Sequence, residues 1–537
     1  MSNTSSYTLP FNGVPGNFNN WEVDGATDVQ QGSNADDVNV EPNIDMIAEF
    51  DISTSNYSAE FAKSAGAAIE VITKSGTSQF HGSAFEFVRN DAMDANDWFI
   101  NRDSLLPTAP KTPLKRNNFG FTVGGPLYIP NHYNTNKDKT FFFVSEEWRR
   151  NRDGEVFSSY APSAKMRTGD FSECDPKSAS FNPVVASGCA LPISPTTGLP
   201  VDQVTVNPIA ATMMNDLVPL PNSGPIGYSS APESTTNSRE DSVRLDHNVT
   251  DKTRVFARWT PDAYNLEILP GWAGGNYPTV KTPWIETDKS GTLHLTQSLR
   301  PDLLNEVIVG YSLNTLNLSQ ASGVGSPGGT IDKPSGFATQ AIFPQNESLP
   351  YIPGFSVSGG IPGFSQSTGY IYDIYSPLLE VKDNLVWTRG KHILKTGLFL
   401  ARNDMNNNTG VGCCDPYGTF NFSSGSSVST GNGLADMFLG RIGSYSAYGS
   451  VINGQLCGGY GLGHWRQWDF EPYFQDDWRV SSRLTLNLGV RYYDWSPWAD
   501  KRLPNLDSIF IPSQYNSANQ GQLDASGYIF PRLARLG

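Results

Sequence analysis

Three segments near the start of the chain, ITKSGTSQFHGSAFEFVRND, RNNFGFTVGGPLYIP and KDKTFFFVSEEWRRN between Ile72 and Asn151, set aromatic residues among polar ones. After a glycine-containing lead-in, each runs for about ten residues and stops at a turn signal, which is the pattern of membrane-spanning β-strands. The stops are Asn90-Asp91, Gly124-Gly125-Pro126 and Asn151. No run of about eighteen apolar residues exists, so a membrane-spanning helix is excluded while a membrane-spanning sheet is not.

The same two-residue rhythm returns along the chain. Leu484, Leu486, Leu488 and Val490 fall on one face of a strand, with Arg483, Thr485, Asn487 and Arg491 on the other. Val243 and Leu245 alternate with Arg244 and Asp246, Leu293 and Leu295 with His294 and Thr296, and Val255, Ala257 and Trp259 with Arg254 and Arg258. Glu306 to Asn314, Leu378 to Thr388, His392 to Arg402, Ser444 to Val451 and Asp469 to Val480 are further candidates, which makes roughly a dozen strands. Their connections are of two kinds. Thr250-Asp251-Lys252, Arg300-Pro301-Asp302, Arg389-Gly390-Lys391 and Ser481-Ser482 are tight turns, whereas the spans 151–238, 315–377 and 403–443 are long and rich in Pro, Gly, Ser and Asn. Short turns on one rim and long loops on the other fit a barrel with a periplasmic and an extracellular side.

Residues 1–77 have a different texture, with short apolar clusters between Asn and Asp runs. Ile44, Ile47 and Phe50 fit a short helix leading into a strand, and a second strand is expected over Ile69 to Thr73. We expect a small α+β piece here, and a large antiparallel sheet over 78–537.

Charge and composition narrow the function. Lys and Arg number 38 against 53 Asp and Glu, a net charge of −15, so a nucleic-acid partner, which needs a basic stripe, is not expected. Hydrophobic residues are only 38% while Gly reaches 51 and aromatics 12%, as suits strands that are apolar on one face alone. The start, MSNTSSYTLPFNGVPGNFNN, has neither a basic nor an apolar export region, and the chain ends Arg535-Leu536-Gly537 rather than on an aromatic closing strand. Both ends therefore read as cut.

Five cysteines are present. Cys174 and Cys189 bracket a short polar loop and would form a local disulfide in an oxidising compartment, and one of Cys413 and Cys414 could bridge to Cys457. With no CxxC and no His at ligand spacing, no metal site is expected. His81, His132, His247, His294, His392 and His464 are scattered, and Glu86, Glu146, Glu147, Asp476 and Asp477 have no common pocket as a glycosidase pair would require. The glycines of 458–463 read as a rim loop, and the Asn- and Asp-rich runs 34–39 and 403–408 as solvated loops without Ca²⁺-loop spacing. No catalytic residue and no cofactor are expected. Trp259, Trp387, Trp478, Tyr492, Tyr493 and Trp495, near strand ends, read as aromatic girdles at the lipid interface.

Several blocks resemble one family. The element Asn20-Trp21-Glu22-Val23-Asp24-Gly25, the run SNYSAEF at 55–61, ITKSGT at 72–77, HILKTGLFLAR at 392–402, GLADMFLGRIGSYS at 433–446 and YFQDDWRVSSRLTLNLGVRYYDWSPW at 473–498 are similar to TonB-dependent outer-membrane receptors of the Oar-like type. That resemblance implies the latter part of a plug over 1–77 and roughly half of a barrel of about 22 strands over 78–537. It implies residence in the bacterial outer membrane, contact with its lipid, uptake of a small ligand such as an oligosaccharide or siderophore, and a TonB–ExbB–ExbD partner acting through an N-terminal region expected to be missing from this chain. The alternatives are an adhesion or export barrel and a secreted β-sheet glycosidase. A half-barrel has two unpaired edges, so the chain alone is expected to aggregate.

Overall fold

The computed structural model describes residues 10–14, 18–29, 38–55, 57–61, 66–102, 111–269, 274–318, 353–366, 372–410, 418–446, 449–452, 455–458 and 460–501, with the pairs 522–523 and 529–530. Two β bodies and an outer lobe account for nearly all of it.

The first body is a four-stranded mixed sheet of β1 (Asn20–Val23), β2 (Ala26–Thr27), β3 (Ile47–Ser53) and β4 (Ala68–Thr73) in the order β2-β1-β4-β3. β1 runs parallel to β4, and β1 and β2 form a two-residue hairpin. The expected helix over Ile44 to Phe50 is reduced to a single 3₁₀ turn, Ile44–Met46, capped by Asn43, and β3 begins at once with Ile47. Three residues fit the Asn43 cap but leave no second turn, and Ile47 to Ser53 instead pair with β4.

The second body is a wall. β5 (His81–Asn90), β6 (Leu114–Pro126), β7 (Thr140–Gly154), β8 (Glu233–Thr250), β9 (Thr253–Ile268), β10 (Thr282–Arg300), β11 (Leu303–Leu318), β12 (Tyr372–Arg389), β13 (His392–Gly410), β14 (Tyr460–Ser481) and β15 (Leu484–Arg491) pair in strict chain order, each antiparallel to the next. Two short strands beside β14 complete a 13-stranded sheet, which is all-β, antiparallel and not closed. Its edges among the described residues are β5 and β15.

The faces of the wall invert the rule for soluble proteins. Val243, Leu245, Trp259, Leu293, Leu379 and Trp468 are exposed on one face, while Glu240, Arg244, Arg258, Glu380, Lys382 and Glu471 are buried on the other. Period-two alternation puts one set toward hydrocarbon and the other toward a polar lumen. Of the aromatics read as girdles, Trp259, Trp478, Tyr492, Tyr493 and Trp495 are exposed and Trp387 is half-buried. Among the described residues no helix is long and apolar enough to cross a membrane.

The wall strands are longer than the sequence suggests. β13 runs through Asn403–Asn408 and β14 starts at Tyr460, so both stretches expected as loops lie wholly or partly in strand. Pairing between β13 and β14 over their whole length satisfies backbone groups that a solvated loop would leave to water. Ser444 to Val451 is not a wall strand. Ser444–Ser446 pairs instead with Thr419–Ser423, and Gly449–Ile452 with Gln455–Gly458. Cys413 and Cys414 and most of the run 34–39 lie outside the described residues.

The long connections form the lobe. Met166, Phe171, Met214 and Leu217 from the β7–β8 loop pack with Tyr277 from β9–β10, Phe355 and Phe364 from β11–β12, and Phe438 from β13–β14 in one buried core. Helix α1 (Pro208–Leu217) starts on the Asn207 cap with Pro208 in its first turn, and α2 (Gly433–Leu439) starts on Asn432, whose side chain accepts from Leu434 and Ala435. Cys174 and Cys189 are joined in a disulfide within the lobe.

Candidate functional site

The site lies where the mixed sheet meets the lumen face of the wall. It starts from the Asp24-Gly25 turn between β1 and β2, whose residues have φ of 53° and 78°. Asp-Gly is the residue pair that such a left-handed hairpin turn demands. The tip comes very close to the wall: a Cβ on Gly25 would stand 2.8 Å from Ile308 Cδ1, and one on Gly310 of β11 2.9 Å from Ala26 Cβ. Glycine on both sides permits that approach.

At the tip, Asp24 joins the two bodies. Its Oδ1 accepts from the Thr73 backbone N–H at 2.9 Å and from Arg244 Nη1 at 3.1 Å, and its Oδ2 from Thr73 Oγ1 at 2.8 Å and Arg258 Nε at 2.8 Å. The Asp24 and Arg258 side chains are each only 1% exposed. Arg258 donates further to Ser290 and Thr292 and to the Val23 carbonyl at 3.3 Å. A second centre lies beside it. Lys382 Nζ donates to Glu22 Oε1 at 2.7 Å and to the Gly25 carbonyl at 2.8 Å, while Glu380 Oε1 accepts from the Thr27 N–H at 2.7 Å. Charges buried this deeply are tolerated when paired and fully hydrogen-bonded, and are costly when one partner is lost.

Other contacts ring this latch. Glu41 pairs with Arg149 at 3.3 Å, Glu60 with Lys395 at 3.3 Å, and Arg491 donates to the carbonyls of Ala59 and Glu60 at 3.0 Å. Toward the short-turn rim a cavity of about 310 Å³ remains between the bodies, lined by Glu60, Glu70, Arg244, His294, Glu306 and Lys382 among others. Two carboxyls of the mixed sheet are displaced from their ordinary range. Burial pushes Asp28 up to about 7 against the pull of Arg258. Burial, then repulsion from Glu22, raises Glu70 to about 7. This arrangement ties one body to the other. It does not assemble a nucleophile with a base.

The carboxylates singled out from sequence do not converge. Glu147 faces the lumen with Arg149 at 2.9 Å, and Glu146 lies on the opposite face with Arg239 at 2.7 Å. Asp476 meets His392 at 2.8 Å, and Asp477 accepts from Gln475 at 2.7 Å. Sequence reasoning missed Glu22, Asp24, Arg244, Arg258 and Lys382 as a set. The Asp-Gly turn was visible, but its partners lie 220 to 360 residues away.

Sequence comparison decides the family. The profile described as "Outer membrane beta barrel domain" matches residues 72–533. The chain belongs to the outer membrane beta-barrel family. As a member, it is a protein of the bacterial outer membrane. The TonB-dependent transporter Oar of Myxococcus xanthus is 29% identical over 141 residues, which are 26% of this barrel chain and 12% of that protein. The outer membrane transporter YddB from Escherichia coli aligns with a TM-score of 0.49 at 10% identity, over 89% of this chain and 49% of its own. The siderophore receptor PirA from Acinetobacter baumannii aligns with a TM-score of 0.46 at 12% identity, over 91% and 51%. The barrel chain thus spans about half the length of these two solved structures.

Proposed function

We propose that this protein is a TonB-dependent outer-membrane receptor, not an enzyme, in which residues 1–77 are the latter part of a plug and residues 78–537 the wall that surrounds it. The observation that carries this reading is the latch. A small sheet held inside a membrane wall by Asp24 on Arg244 and Arg258, and by Glu22 on Lys382, is secured through few, concentrated charged contacts. Such a joint resists thermal opening but yields as a unit when pulled, because shifting the β1–β2 hairpin breaks every contact at once. Energy delivered by a TonB–ExbB–ExbD complex, through chain preceding the mixed sheet, would shift the plug and admit a scarce small ligand such as an oligosaccharide or siderophore. Capture would fall to the lobe.

The test is movement of the plug. A cysteine placed at Ala26, which is buried against the wall, should react with a periplasmic maleimide in energised cells given spent culture medium as a ligand source. It should stay unreactive in cells without TonB. Equal labelling in both would overturn uptake and favour an adhesion role for the lobe.

A further inference from the structure

Between the latch and the lobe the lumen face of the wall carries a row of carboxylates in direct register. Glu147 on β7 pairs opposite Glu240 on β8, Glu240 opposite Asp262 on β9, and Asp262 opposite Asp288 on β10. Asn314 on β11 and Ser376 on β12 are opposite one another and continue the row, with Asp288 tied to β11 through the Thr315 N–H at 2.6 Å. Ionised carboxylates directly opposite in a sheet repel, and three of these are out of water, Glu147 at 8% exposed, Glu240 at 6% and Asp288 at 3%, while Asp262 is half-buried. Among the described ion pairs Arg149 is the only cation bonded to any of the four, and it is shared with Glu41. A second observation is independent of the acids. Asn314 is fully buried and neither its amide oxygen nor its amide nitrogen has a partner, and the Ser376 hydroxyl and Glu240 Oε2 also lack one.

We propose that this row is a binding site for a linear organic polycation of the aliphatic polyamine class. No three of the described acids are placed to hold a metal ion, so a single-ion cage does not fit. The carboxylates follow the strands at about 4.8 Å intervals, a spacing that serves ammonium groups joined by short methylene chains. The row is rich in acceptors, and an ammonium group is all donor. Asn43 of the mixed sheet donates its N–H to Glu240 Oε1 at 3.2 Å and so covers the row. The proposal therefore rests on the uptake reading for how a guest gains access, and it names the class of guest.

The test uses the receptor extracted from outer membranes in detergent, with spermidine as the probe and equilibrium dialysis as the measurement. Spermidine should bind, and the Glu240→Gln/Asp288→Asn protein should bind it about tenfold or more weakly. Glu146→Gln, on the opposite face, should leave binding unchanged. Asn314→Leu tests the uncharged end, and a several-fold loss is expected there. Unaltered heat-modifiable migration confirms that each variant is folded. Absence of spermidine binding, equal binding by the double variant, or displacement by Ca²⁺ at equal concentration would overturn the site. If Ala26 labelling still depends on TonB in that case, the receptor reading survives; if labelling is also independent of TonB, both fall.

Discussion

The latch and the carboxylate row are adjacent layers of one lumen, built from the same residue types and arranged oppositely. In the latch the ion pairs that cross between the bodies have the acid on the mixed sheet and the base on the wall, Asp24 with Arg244 and Arg258 and Glu22 with Lys382, while Glu380 of the wall accepts a backbone N–H. In the row all four acids belong to the wall, and one arginine serves them. The difference separates two uses of buried charge. Complementary charges split between bodies make a joint, whereas like charges kept on one body leave an attraction for something else.

The most severe way to break the joint is Asp24→Asn. It strands the buried Arg258 guanidinium, which has no other carboxylate among the described ion pairs, and leaves Arg244 to Asp246 on its own wall, so the mixed sheet should lose about 3 kcal/mol of docking energy. Trypsin cleavage within residues 1–75 of outer-membrane vesicles measures this, and unchanged protection would show that Asp24 is dispensable. Next comes Lys382→Met combined with Glu22→Gln. A double-mutant cycle should return a coupling of about 2 kcal/mol, and additivity would remove this pair from the latch. The row should respond with the opposite sign. Glu240→Gln removes repulsion from Glu147 and Asp262 and should raise the thermal midpoint, corresponding to about 1 kcal/mol; a lowered midpoint would mean that Glu240 is already compensated.

The smallest effect is that of pH. Asp28 and Glu70 keep their protons up to about 7 when folded, against ordinary values of 3.8 and 4.5. The folded state thus binds more protons between about pH 4 and 7, so stability is greatest below that window and falls as pH rises through it. Between pH 6.5 and 7.5 the loss is about 0.7 kcal/mol for a fully buried group such as Asp28. Protease protection of the mixed sheet should decline across this step, and Asp28→Asn should flatten the decline.

The comparison also marks what could be read from the sequence. Alternation such as Val243, Leu245 against Arg244, Asp246 gave strand, face and membrane together, because the period is local. The tight turns set the chain-order pairing of the wall, and the profile match over residues 72–533 agrees with the resemblance drawn from its motifs. The latch and the row were hidden because both depend on register between distant strands, and a slip of one residue would send every one of these charges to the lipid face. The lobe was half legible. Ala210, Met213, Met214 and Leu217 follow Asn207-Pro208 at helical spacing, a start signal and an apolar stripe inside a span that reads as loop. Strand extension through Asn403–Asn408 had no local signal, since asparagine disfavours strands and pairing with β12 on one side and β14 on the other holds it there.

The lobe bears on the order in which the protein folds. Its core needs Met214, Tyr277, Phe355 and Phe438, which are supplied by four loops separated by pairs of wall strands. Neighbouring hairpins such as β8–β9 close over a few residues and can form early, but the lobe waits for loop closures spanning more than two hundred positions. Each hairpin that seats itself brings two more loop roots together, so the lobe is sealed last and then ties the tops of eight strands into a hoop.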